Sequence, residues 1–226
     1  MDVTLVDVVD AGAQREAPAC DEDVVFIHGR GDTLEVSPGD LLSEFAWGER
    51  RFISPTLGAD FYRQPFEDQI AQLDTLVGDA RLAIGFSFGS WLLLTLTAMR
   101  QLTGRRVPDL LLLSPILGYG GTPAAGLVAP YARELRRHLG LNEWAHWLPN
   151  RARCRPPIVD PERIALIHGR HDPQCATEDV EALAKLGYPV SITDDGHRLD
   201  SPSSRSLVRR TLNALVGPSG LWAEAD

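Results

Sequence analysis

Ser87 stands between two glycines, Gly85 and Gly89, after the short apolar run Arg81–Ile84 and before a longer one, Ser90–Leu102. The pattern reads as strand, sharp turn, helix. A serine on such a turn has a strained backbone, and side chains two residues before and after it would collide with the neighbouring strand and helix unless nearly absent. A serine hydroxyl is a weak nucleophile at its free pKa. It needs a histidine to take its proton and an acid to hold that imidazole in one tautomer and stabilise the imidazolium. Asp172 ends the segment His168-Gly169-Arg170-His171-Asp172, and His197 ends Asp194-Asp195-Gly196-His197. His197 is also the only histidine after Asp172. Serine, acid and histidine thus follow in this order, each expected at the C-terminal end of a strand, where an open α/β sheet places its active site.

The elements that must position them are legible as apolar runs. Val24–Ile27 is a buried-strand pattern leading into His28-Gly29-Arg30-Gly31, and Ile164–Ile167 leads into the Asp172 turn. Pro189–Thr193 precedes the His197 turn, and Asp109 opens a strand over Leu110–Leu113. Strands are also expected at Val3–Val9 and around Arg51–Ser54. A short helix is expected from Leu41 to Phe45, and Phe66, Ile70, Leu73, Leu76 and Val77 recur at helical spacing over about Pro65–Val77. The helix after Ser87 carries Trp91, Leu92, Leu93, Leu94, Leu96 and Met99 nearly all round, so it should be buried. Helices over Ala176–Leu186, closed by Gly187, and over Leu207–Leu215 complete the alternation. Such alternation means an α/β fold, a mostly parallel sheet flanked by helices on both faces.

With these turns in place, the sequence resembles the α/β-hydrolase superfamily over nearly its whole length, and looks most like its small, single-domain members with a minimal lid. The elbow around Ser87, the His28-Gly29 turn, the Gly169-x-x-Asp172 turn and the Gly196-His197 turn carry the resemblance. It implies an oxyanion hole made by two backbone N–H groups. One is that of Phe88, at a helix start where the dipole helps, and the other is that of Arg30, after His28-Gly29. It also implies that the insertion at about 118–161 is a short lid. There Tyr119, Trp144 and Trp147 either roof an acyl pocket or only anchor the segment on the domain. Phe86, beside the nucleophile, and His28 are further candidates for lining that pocket.

Length and charge narrow the remaining classes. The 226 residues fit one α/β domain over 1–226. The net charge of −9 offers no basic surface for nucleic acid or anionic lipid. Cys20, Cys154 and Cys175 are odd in number and widely spaced, which argues for a reducing compartment and against a disulfide framework or zinc site. The start, Met1-Asp2-Val3-Thr4, has no basic and apolar leader pattern, and no stretch reaches membrane-spanning length. The expectation is a cytoplasmic protein without a cofactor, acting on a small-molecule acyl substrate.

Other motifs compete with this reading. His28 precedes Asp172, so its expected role is to orient its own turn by hydrogen bonds instead of acting as base. His168 and His171 have H-x-x-H spacing beside Asp172, but at a strand end and not on a helix face, which disfavours metal. Arg30-Gly31-Asp32 spells an adhesion tripeptide inside the oxyanion turn. Asp194 and Asp195 would replace Asp172 as acid only if the strand register differs. The function expected is a serine hydrolase cleaving a small carboxylic ester or thioester through an acyl-Ser87 intermediate. The alternatives are a cyclase, isomerase or acyl transferase on the same scaffold, and a non-catalytic binding protein.

Overall fold

Alternate residues of each central strand enter two different hydrophobic cores. In a strand successive side chains point to opposite faces, so a run that is apolar at every position must be covered on both. In β2 (Val24–Ile27), Val25 and Ile27 join one core and Val24 and Phe26 the other. The first core is closed by α3 (Phe66–Val77), α4 (Phe88–Leu102) and α5 (Thr177–Lys185), through residues such as Leu73, Leu92 and Val180. The second is closed by α1 (Gly39–Ser43) and α6 (Pro202–Val216), through Leu42, Val208 and Leu212. The computed structural model describes residues 6–10, 22–30, 32, 34–116, 161–175, 177–185 and 187–216. The expected insertion at about 118–161, with Tyr119, Trp144 and Trp147, therefore lies outside the described residues, apart from Pro161.

The remaining strands are β1 (Val6–Asp10), β3 (Phe52–Thr56), β4 (Leu82–Phe86), β5 (Asp109–Leu113), β6 (Ile164–Gly169) and β7 (Val190–Thr193). They form one seven-stranded sheet in the order β1-β3-β2-β4-β5-β6-β7, with every pair parallel. From β2 the chain steps outward to β3 and then returns to β4 on the other side of β2. The strand order reverses there, and the crevice beyond the C-terminal ends of β2 and β4 is where such sheets bind ligands.

Several boundaries differ from the sequence reading. The first described strand, Val6–Asp10, runs one residue past the expected end at Val9, residues 3–5 lying outside the described residues, and α1 starts two residues earlier than expected. The stretch between β3 and α3, to which the sequence assigns no element, holds a short helix, α2 (Ala59–Arg63). Helix α6 starts five residues before Leu207, because Pro202 is preorganised for a first helical position and Ser201 caps it, its Oγ accepting the Ser204 N–H at 3.3 Å. Its polar first turn hides it from a reading based on apolar periodicity. Among the described residues no helix is long and apolar enough to cross a membrane.

Candidate active site

Ser87 occupies the turn between β4 and α4 with φ 53° and ψ −118°, a left-handed conformation that costs a non-glycine residue about 1–3 kcal/mol. The flanking glycines make that turn possible by removing atoms. A Cβ on Gly85 would lie 2.5 Å from Ser90 Cα, and one on Gly89 would strike the carbonyls of Ile27 and His28. The turn is thereby pressed against the end of β2. Its backbone is tied in as well, the Ser87 N–H donating to Leu113 O at 2.9 Å.

The structure brings Ser87, His197 and Asp172 together. His197 Nε2 is 2.8 Å from Ser87 Oγ, across 110 residues of chain, and its Nδ1 is 2.7 Å from Asp172 Oδ2. A carboxylate only accepts, so this arrangement puts the ring hydrogen on Nδ1 and leaves the Nε2 lone pair facing the serine hydroxyl. The Asp172 side chain is fully buried, and that of His197 is 11% exposed. The second carboxylate oxygen of Asp172 accepts the N–H groups of Gln174 at 2.7 Å and Cys175 at 3.2 Å. Those bonds fix the side chain from the far side, and spacing in the sequence gives no hint of them.

The other candidate residues fall as follows. His28 is buried, and both ring nitrogens are engaged: Nε2 accepts the Leu57 N–H at 3.1 Å, so Nδ1 donates to Gly29 O at 2.7 Å. It orients its own turn and carries no free lone pair toward a substrate. Gly29 packs so closely on the elbow that a Cβ there would lie 3.2 Å from Ser87 Cβ. Arg30, the next residue, is exposed. The Arg30 guanidinium lies over Tyr62, 5.4 Å from the ring centroid, and Tyr62 in turn meets the Phe88 ring at 5.8 Å. Tyr62, on α2, is a site neighbour that the sequence reading missed, since that helix was itself unexpected. Phe88 opens α4, so its N–H lies outside the i→i−4 ladder of the helix. Phe86 is buried with its ring 5.1 Å from that of His197.

The two histidines of the H-x-x-H pair diverge. His171 is exposed and pairs with Asp194 at 2.7 Å, whereas His168 is fully buried with Nδ1 3.8 Å from Asp172 Oδ2. Burial pushes the His168 pKa below its ordinary value, Asp172 opposes this, and His197 adds to it. Among the described residues no cluster of histidine, cysteine and acid has the geometry to hold a metal ion. Asp195 does not approach the His197 ring as an acid; its carboxylate binds backbone N–H groups of its own loop.

Neither a known family profile nor any curated protein matches the chain. Solved structures do. Epoxide hydrolases of the alpha/beta hydrolase superfamily, from metagenomes of hot environments, align with a TM-score of 0.56 at 14% identity, covering 94% of this chain and 93% of theirs. A monoacylglycerol lipase of Paleococcus ferrophilus aligns at 0.51 and 14% identity, over 88% of this chain and 96% of its own. Human thioesterase 2 aligns at 0.50 and 12% identity, over 86% and 95%. At these identities the likeness is one of fold. The chain has the α/β-hydrolase fold.

Proposed function

We propose that this protein is a serine hydrolase that cleaves a small carboxylic ester or thioester through an acyl-Ser87 intermediate. The observation that carries the reading is the unbroken line of contacts from Ser87 Oγ through His197 to the buried Asp172. In the reaction, His197 Nε2 takes the Ser87 proton as Oγ attacks the substrate carbonyl, and Asp172 stabilises the imidazolium that forms. Negative charge gathers on the former carbonyl oxygen, where the N–H groups of Phe88 and Arg30 receive it. His197 then gives its proton to the leaving alcohol or thiol. Water, deprotonated by the same nitrogen, releases the acid from Ser87.

The fold supports the reading, and two of its structural neighbours are, by name, a lipase and a thioesterase. A fold alone does not choose a reaction, so the test is chemical. A fluorophosphonate probe is expected to label Ser87, and a panel of acyl p-nitrophenyl esters and acyl-CoA thioesters is expected to be hydrolysed. Labelling without hydrolysis would favour a transferase, cyclase or isomerase. Absence of labelling would leave a binding protein on a hydrolase scaffold.

A further inference from the structure

We propose that Asp195 is a positioning residue for His197, its carboxylate closing the loop that carries the base. The proposal rests on the reading of His197 as the base of Ser87. The loop leaves β7 at Thr193 and enters α6 at Pro202. Within it, Asp195 Oδ1 accepts the Gly196 N–H and Oδ2 accepts the Ser201 N–H, both at 2.7 Å. These two donors bracket His197. One carboxylate thus fixes the residue just before the base and the residue where α6 begins.

The backbone of the same residue docks on the turn of the acid. Asp195 O accepts the His171 N–H at 2.8 Å, and Gly169 leaves no room for a side chain there, since a Cβ would lie 2.6 Å from Asp195 O. Asp195 therefore couples three parts: the acid turn through its carbonyl, the base through Gly196, and α6 through Ser201. Burial alone would raise its pKa, but hydrogen bonds from Ser201, Ser204 and Gly196 outweigh it and hold the carboxyl below the ordinary range. The positive end of the α6 dipole favours the same charge. Between the two anchored ends Leu199 is buried at φ 55°. Such a strained residue persists only where its surroundings over-determine it.

An amide cannot reproduce the clamp, because its NH2 would face one of the two N–H donors. Asp195→Asn is expected to lower kcat for ester hydrolysis about 10–100-fold with KM within twofold of wild type, measured well below its melting temperature, since small misplacements of a catalytic group cost that much. Fluorophosphonate labelling should slow by a similar factor. Asp195→Glu keeps the charge near α6 but carries the carboxylate a methylene too far for Gly196, so it should lose kcat while losing less stability, and it serves if the amide variant does not fold. Val208→Ala, which thins the α6 core away from the loop, should lower Tm and leave kcat unchanged. Wild-type kcat and labelling rate in Asp195→Asn, with only Tm reduced, would overturn the proposal. An unlabelled wild-type enzyme would instead overturn the reading on which it rests.

Discussion

His168 Nδ1 stands 3.8 Å from Asp172 Oδ2, the same oxygen that His197 Nδ1 reaches at 2.7 Å. The acid is thus flanked by two imidazoles, of which only one is within hydrogen-bond distance. Among the described residues neither ring nitrogen of His168 has a hydrogen-bond partner, and the side chain is fully buried. A buried polar group in that state is costly, and costlier still when charged.

That burial sets a pH dependence of stability. The folded-state pKa of His168 is lowered, so below the unfolded value of about 6.5 the unfolded chain binds more protons than the native one, and stability falls as pH drops through that window. Above it the contribution is fully present. Tm measured from pH 7.5 downward should decline in the wild type, and the decline should be shallower in His168→Leu. Identical slopes would remove His168 as the cause.

Replacing Ser87 separates strain from chemistry. Ser87→Ala and Ser87→Gly should both lose hydrolysis by about 10⁶-fold. Only glycine relieves the left-handed backbone, so Ser87→Gly should be the more stable of the two by about 1 kcal/mol, visible in urea unfolding. Equal stabilities would mean that the turn is not strained.

Asp172→Asn should fold and lose kcat by about 10⁴-fold, the cost of the wrong histidine tautomer in such triads. The amide oxygen can still accept the Gln174 and Cys175 N–H groups, so circular dichroism should be unchanged. Wild-type kcat in this variant would remove the acid from the proposed relay.

Gly89→Ala is expected to be far more damaging than its size suggests. The added methyl meets the carbonyl oxygens of Ile27, the last residue of β2, and of His28 just after it, and not a movable side chain, so the elbow or the strand end must shift. The cost should be at least about 1–3 kcal/mol, with activity lost even in the folded fraction. A folded, active Gly89→Ala would show that the elbow is not held against β2.

Much of this site is legible in the chain because Ser87 and Asp172 follow apolar runs that read as buried strands, and His197 follows the half-buried β7. Leu110–Leu113 and Val24–Ile27 announce themselves by composition. What supports those residues does not, since it depends on contacts between segments far apart in sequence. That His28 bonds to Leu57, or that Ser37 Oγ donates to Arg198 O at 3.0 Å, follows from how loops meet above the sheet. Asp195 is the clearest case. In the sequence it is a rival acid two residues from His197, and only the folded loop reveals that its carboxylate is committed to N–H groups.

The contact between Ser87 and His197 also bears on how the protein comes to life after synthesis. Closing 110 residues of chain costs entropy that is recovered only once the intervening strands have paired. Helices and neighbouring strands can form before that closure. Refolding from denaturant should therefore restore helical circular dichroism ahead of fluorophosphonate reactivity, so that newly folded molecules pass through an inert stage in which the nucleophile is made but not yet armed.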